Sequence, residues 1–229
     1  MVLGGLQKLT LLDFPGRVAC TVFTKGCNFR CPFCHNAALV TDPDAAVYPV
    51  EDFLAFLRTR QGLLDGVAIT GGEPLLHRDM GDLLARIKEL GFAVKLDTNG
   101  AFPQVLAPLL SAGLVDYVAM DIKNTPEKYP LTCGCAVEVE AVKESVSLLL
   151  RGSTDFEFRT TAVAELHTPE DFGEMGRWIA GAPRYFIQQF KDSGGLIADG
   201  CTAPDKETME QYLQAARVWV PDAQLRGIS

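Results

Sequence analysis

One unit recurs six times along this chain: a short apolar run, a polar cluster at its end, then an amphipathic helical stretch. The strand-like runs are 17–24, 66–70, 92–97, 116–121, 155–160 and 184–189; the helical stretches are 50–60, 79–90, 104–112, 138–150, 169–180 and 206–218. In 79–90, Met80, Leu83, Leu84, Ile87 and Leu90 repeat at helical spacing. Pro103 and Pro169 sit where a first helical turn accepts proline, and Gly91 and Gly113 follow helix ends. Successive strand–helix units require parallel strands joined by crossovers of one hand, which leaves an open doubly wound sheet or a partial barrel. The clusters Gly71-Gly72-Glu73, Asp97-Thr98-Asn99, Asp121-Ile122-Lys123, Arg159-Thr160-Thr161 and Gln188-Gln189 all fall at C-terminal strand ends. Barrel enzymes draw their sites from many strand ends, whereas an open sheet concentrates ligands at one switch point. The expectation is therefore α/β: a partial (β/α)6 TIM-like barrel of parallel strands, one domain over 1–229, with its site at the C-terminal strand ends.

A chain of 229 residues is long enough for one sizeable core. Its net charge of -8 leaves no basic surplus to neutralise phosphates, so nucleic acid is not the expected partner. No apolar run is long enough to span a bilayer and the N-terminal stretch lacks a signal-peptide layout, so the expected compartment is the cytoplasm, with no membrane partner. Thiols stay reduced there, and the seven cysteines read as metal or redox groups in preference to a disulfide framework.

Three of them lie in KGCNFRCPFCHN, residues 25–36, directly after the first strand: Cys27, Cys31 and Cys34, spaced C-x3-C-x2-C. Three thiolates on one loop can hold three irons of a cubane and leave the fourth iron for a chelating substrate; most such clusters take four cysteines. Three rival chemistries compete. Cys31-Pro32-Phe33-Cys34-His35 also fits c-type haem attachment, which leaves Cys27 unexplained. A Cys3His zinc site would need adjacent Cys34 and His35 to turn toward one ion. A thioredoxin-like pair needs only Cys31 and Cys34.

The cysteine spacing followed by Gly71-Gly72-Glu73-Pro74 resembles the radical S-adenosylmethionine (SAM) superfamily. The resemblance runs on through GLQKLTLLDFPGRVACTVFTKGCNFRCPFCHN, ITGGEPLL, LDTNG, MDIKN, FEFRTT and a final LRG, which look like the activating proteins of anaerobic ribonucleoside-triphosphate reductase, cousins of the pyruvate formate-lyase activating enzymes. Lys25 departs from the glutamine of that pattern. The resemblance implies one 4Fe–4S cluster on Cys27, Cys31 and Cys34, with SAM chelating the open iron. It implies an oxidoreductase that places a radical on a glycine of a partner, most directly anaerobic ribonucleotide reductase. A low-potential donor such as flavodoxin or ferredoxin would supply the electron. Another glycyl radical enzyme as partner, or a small-molecule enzyme such as 7-carboxy-7-deazaguanine synthase, is the alternative.

The same resemblance assigns cofactor contacts. Phe33 packs toward the adenine or simply into the core; backbone groups of Cys34 and His35 assist, or His35 anchors the loop. Gly71 and Gly72 let backbone approach the ligand or make a tight turn, and Glu73 accepts from the cofactor ammonium. Asp97, Thr98, Met120 and Asp121 match positions around a monovalent cation, since paired aspartates need a cation or a lysine. Thr98 also counts among the SAM contacts. Lys123 is a charge partner of the cofactor or of Asp121. Arg159 and Thr161 share a strand face, and the arginine takes the cofactor carboxylate or an aspartate. Gln188 is assigned to the adenosine, and Asn99 to the cofactor or to its own turn. Cys20 reads as core; Cys133, Cys135 and Cys201 have no assigned role, His77 and His167 look unremarkable, and the glycine-rich stretch after Gln189 is a candidate flap toward the partner.

Overall fold

The computed structural model describes residues 1–192 and 194–228. Its strands are β1 (Leu3–Thr10), β2 (Ala19–Thr24), β3 (Gly66–Gly71), β4 (Ala93–Thr98), β5 (Tyr117–Asp121), β6 (Asp155–Ala162), β7 (Tyr185–Gln189) and β8 (Gln224–Arg226). The helices are α1 (Ala37–Thr41), α2 (Val50–Arg58), α3 (Met80–Glu89), α4 (Pro103–Ser111), α5 (Tyr129–Cys133), α6 (Val139–Arg151), α7 (Pro169–Trp178) and α8 (Lys206–Arg217), with a 3-10 turn at Pro74–Leu76. The strands follow chain order, β1-β2-β3-β4-β5-β6-β7-β8. This is an α/β fold on a mostly parallel sheet, the strand order of a partial TIM-like barrel.

The chain divides into two compact units, one of Met1–Asn28, Ala38–Thr98 and Phe102–Val118, the other of Phe29–Ala37, Asn99–Ala101 and the chain from Ala119 on. In the first unit β2, β3 and β4 run parallel, with Ala68 beside both Thr21 and Lys95. β1 is antiparallel to β2, pairing Leu6 with Val22, so the sheet is not wholly parallel as expected. Helix α3 turns Met80, Leu83, Leu84 and Ile87 inward, the face that the apolar spacing predicts. The start of β5 is tied here, Asp116 N–H to the Val94 carbonyl at 2.9 Å.

The second unit takes over at the end of β5, where Ile122 N–H donates to the Arg159 carbonyl at 2.8 Å. β6, β7 and β8 are parallel, and Thr161 lies in register with Gln188. Helix α7 begins as its sequence dictates: Pro169 fills the first turn, and Thr168 and Asp171 close a reciprocal capping box. β8 adds a short last strand whose Arg226 pairs with buried Glu157 at 3.0 Å and lies over the Phe186 ring. Among the described residues no helix is long and apolar enough to cross a membrane.

Candidate functional site

In the first unit the strand leading to Cys27 is fixed by backbone. Lys25 N–H donates to Val2 O at 3.0 Å, its ammonium reaches the Ala45 and Pro43 carbonyls at 2.6 and 3.2 Å, and Gly26 N–H donates to Leu39 O at 2.8 Å. The His77 ring donates to the Lys25 carbonyl at 2.9 Å, so this histidine is a brace and not the bystander expected. The end of β3 packs straight onto this segment. Gly72 and Glu73 donate to Thr24 O and Gly26 O, both at 2.9 Å. A Cβ on Gly72 would lie 1.8 Å from the Gly26 carbonyl oxygen, and Gly71 adopts φ +109, so both positions exclude side chains. What the glycines demonstrably admit is the backbone that launches the cysteine loop.

Glu73 is buried, and its Oε1 accepts from Leu75 N–H at 3.0 Å and from the Thr98 hydroxyl at 2.8 Å. Asp97 is ion-paired with Lys95, a buried lysine two residues earlier on the same strand. The sequence reading did not single out Lys95, although its i−2 spacing puts it on the face of Asp97. Cys27 is half-buried.

In the second unit Cys31 is buried and Cys34 half-buried, joined by a turn in which Cys34 N–H donates to Cys31 O at 3.1 Å. Phe33 is buried. His35 anchors the loop: its Nε2 donates to the Lys191 carbonyl at 2.7 Å and its ring stacks on Phe190. Ala198 N–H donates to Pro32 O at 3.1 Å, so the glycine-rich stretch is tied to the cysteine loop; its Ser193 lies outside the described residues.

The charged group of this unit is Asp121, Lys123 and Arg159. Lys123 Nζ lies 2.9 Å from Asp121 Oδ2, and Arg159 Nε and a terminal nitrogen each lie 3.1 Å from Oδ1. Burial alone would raise the Asp121 pKa, but the two cations and their hydrogen bonds more than offset it and hold the carboxyl at about 2. Two cations thus meet one carboxylate. Lys123 is pushed above the usual lysine value because Asp121, with Cys31 behind it, outweighs burial. Its backbone is held as firmly: Lys123 N–H donates to the buried Tyr129 hydroxyl at 3.2 Å, and its carbonyl accepts from His167 Nε2 at 2.9 Å. Burial keeps His167 neutral, correcting the view of it as unremarkable.

Thr161 and Gln188 are half-buried register partners on the face that Arg159 shares. Asn99 Oδ1 accepts from Ala101 N–H at 3.0 Å, closing its own turn, and Gly100 sits where a Cβ would lie 2.1 Å from the Met120 methyl. Met120 is buried. Each aspartate of the expected cation site thus carries a protein cation, Asp97 from Lys95 and Asp121 from Lys123 and Arg159. Cys133 was assigned nothing, yet its carbonyl accepts from Arg30 N–H at 2.8 Å, one residue before Cys31. No local pattern announces a partner a hundred residues away.

Residues 21–178 match the radical SAM superfamily. The chain belongs to that superfamily. Its strands and cysteine loop are those of a radical SAM domain, and with membership come the superfamily's cofactors, one 4Fe–4S cluster and SAM. Over its whole length the chain is 30% identical to "Putative glycyl-radical enzyme activating enzyme MJ1227" of Methanocaldococcus jannaschii, covering 97% of that protein, which places the two in one family. A 7-carboxy-7-deazaguanine synthase of Halobacterium salinarum is 42% identical over 79 residues, 34% of this chain and 30% of that enzyme. A crystallised domain of pyruvate-formate lyase-activating enzyme from Bacteroides vulgatus superimposes with a TM-score of 0.59 at 18% identity, over 71% of this chain and 99% of that one; at that identity the likeness shows the fold alone.

The donor set fits the cluster. All three loop cysteines are free thiols, and Cys31 is drawn down to about 7 by its hydrogen bond from Cys133, against burial and with help from Lys123, so it serves readily as a thiolate. Burial raises Cys34 in the absence of a metal. Among the described residues no three His, Cys, Asp or Glu side chains converge as ligands of one ion do. A cubane asks for a different arrangement, one thiolate on each of three irons.

Proposed function

We propose that this chain activates a glycyl radical enzyme, removing a hydrogen atom from a glycine Cα of a partner, and that the partner is anaerobic ribonucleoside-triphosphate reductase. The observation that carries the activase reading is the end-to-end match with the Methanocaldococcus relative, set against a synthase match that spans under a third of that enzyme. The reductase as partner rests on the flanking QKLTLLDFPG and EFRTT segments, which resemble its activating proteins. When bound, the cluster and SAM supply a one-electron cleavage of the sulfonium to methionine and a 5′-deoxyadenosyl radical.

The chain's own residues hold and orient. Cys27, Cys31 and Cys34 would take three irons of the cluster. Glu73, buried and pinned by Leu75 and Thr98, would accept from the methionyl ammonium, with Gly71 and Gly72 leaving room for the ligand beside it. Lys123 or Arg159 would donate to the methionyl carboxylate. Phe33 and the backbone of Cys34 and His35 would serve the adenine, and Thr161, Gln188 and Asn99 the adenosine. Flavodoxin or ferredoxin supplies the electron.

The test is anaerobic mixing of the reconstituted protein with SAM, a reductant and each candidate partner, followed by electron paramagnetic resonance. A glycyl doublet on the reductase is expected. A doublet on pyruvate formate-lyase alone would remove the reductase assignment, and 5′-deoxyadenosine formed without any doublet would favour a small-molecule substrate.

A further inference from the structure

The closing LRG, which the mechanism leaves unused, ends β8 and completes a polar row in the second unit. Thr161 on β6 lies in register with Gln188 on β7, and Gln188 with Arg226 on β8. Register partners on parallel strands turn to one face, so hydroxyl, amide and guanidinium stand side by side at C-terminal strand ends, about 4.8 Å apart per strand. All three residues are half-buried. β8 buries none of its side chains fully, so what it adds to the sheet is this arginine and not core. Arg226 is held from two sides. Its terminal nitrogens reach the Glu157 carboxylate at 3.0 and 3.3 Å, and its guanidinium carbon lies 3.2 Å from the centre of the Phe186 ring. The Glu157 side chain is 2% exposed and that of Arg226 39%. A buried carboxylate thus anchors a guanidinium whose outer part stays open to solvent, with N–H donors beyond those on Glu157.

We infer that Arg226 is a substrate-binding residue: its guanidinium donates to a backbone carbonyl of the partner's glycine-bearing loop and sets the glycine beside the adenosine. The inference rests on the proposed activase function, with Thr161 and Gln188 serving the adenosine. Hydrogen abstraction needs the glycine Cα against the 5′-carbon, so the residues around that glycine must be bound next to the adenosine donors. Arg226 stands one strand beyond Gln188. Charge decides the ligand class. Glu157 already balances the guanidinium, so an anion gains little there, whereas a neutral peptide carbonyl still gains a charge-assisted hydrogen bond. A fork already fixed by carboxylate and ring loses little side-chain entropy when the loop binds. β8 is also the last strand in the sheet order, so a loop from another protein reaches Arg226 without displacing a strand of this unit.

The experiment reads coupling: glycyl radicals on the partner that the parent protein activates, counted by electron paramagnetic resonance, per 5′-deoxyadenosine released. It compares anaerobically reconstituted parent, Arg226→Lys, and Glu157→Gln combined with Arg226→Gln. The double variant replaces the ion pair with two amides, so no buried carboxylate is left uncompensated. Its coupling ratio should fall roughly ten-fold or more, the loss of one hydrogen bond from a charged donor. Arg226→Lys keeps the charge opposite Glu157 but not the planar fork, and should fall between the two. Thermal melting of the cluster-free proteins separates binding from a purely structural role. A double variant with a lower melting temperature and the parent's ratio would show that Arg226 only fastens β8, and would overturn the inference. So would one that loses 5′-deoxyadenosine and glycyl radical in equal proportion. A parent that releases 5′-deoxyadenosine but marks no candidate partner would instead remove the activase function on which the inference rests. Should the double variant not fold, Arg226→Lys decides: a ratio below the parent's supports the inference and an equal ratio refutes it.

Discussion

The corner around Glu73 in the first unit and the charged trio around Asp121 in the second are built on different principles. The first is made by backbone proximity: Gly71 and Gly72 against Thr24 and Gly26, with one buried carboxylate fixed by a turn amide and a hydroxyl. The second is made by charge, with two cations on one carboxylate and neutral braces from Tyr129 and His167 behind them. Backbone contact is intolerant of volume and indifferent to pH. Charge tolerates small shifts in shape but responds to protonation and to the loss of a partner.

That difference predicts where the molecule is most brittle. Gly72→Ala should have the largest effect, since its Cβ would fall 1.8 Å from a carbonyl oxygen that cannot swing away. Overpacking of this kind typically costs up to about 3 kcal/mol, occasionally more, and here it displaces the segment that carries Cys27. Urea unfolding should show that loss, and reconstitution should show iron falling with it. Gly173→Ala, in α7 with open space at its Cβ, should be neutral or slightly stabilising. Equal behaviour of the two would mean that the β3 end is softer than its contacts indicate.

Next comes the ion pair of the first unit. Lys95→Met leaves the Asp97 carboxylate in a largely buried place without its lysine, and a loss of about 2–3 kcal/mol is expected. For Asp121 the pH dependence is informative. Its carboxyl is depressed from 3.8 to about 2, so its contribution is present in full above the ordinary value and lost as pH falls toward about 2. That contribution amounts to roughly 2 kcal/mol at pH 7. Cluster-free parent should therefore lose stability between pH 5 and about pH 2.5, and Asp121→Asn should lose correspondingly less. Parallel pH profiles would show that the two cations do not hold the carboxyl down.

The six strand–helix units were legible because each strand is bounded by turn residues and each helix keeps one apolar face. The six strand runs correspond to β2 through β7, with ends displaced by a residue or two. β1 was missed for a physical reason. Only Leu3 and Thr10 of LGGLQKLT are buried, so an edge strand with no sustained alternation gives no period-2 signal. β8 is three residues long, and α5 is a single turn with two prolines nearby, both too short for any periodicity to register. The candidate residues were legible as types at strand ends, and Lys123 with Asp121 and an aspartate for Arg159 were read as alternatives, but which distant residues meet was not legible. Arg159 meeting Asp121, His167 meeting Lys123 and Cys133 meeting Arg30 are contacts over tens of residues, set by topology. Lys95, like Lys123, lies two residues from its aspartate, but of the two only Lys123 was read as a partner.

The smallest expected effect tests whether the two regions share one electrostatic solution. Asp97 and Asp121 were expected to need a cation or a lysine, and in their separate units each is paired with a lysine of the chain, Asp97 with Lys95 and Asp121 with Lys123 beside Arg159. A tethered ammonium two residues along a strand is already held near its carboxylate, so a free ion gains little by competing with it. Replacing sodium and potassium with tetramethylammonium at constant ionic strength should therefore change the rate of 5′-deoxyadenosine formation by less than about two-fold, the scale of general screening. A parent enzyme that lost most of its rate in tetramethylammonium would restore the cation to these carboxylates and make the lysines spectators.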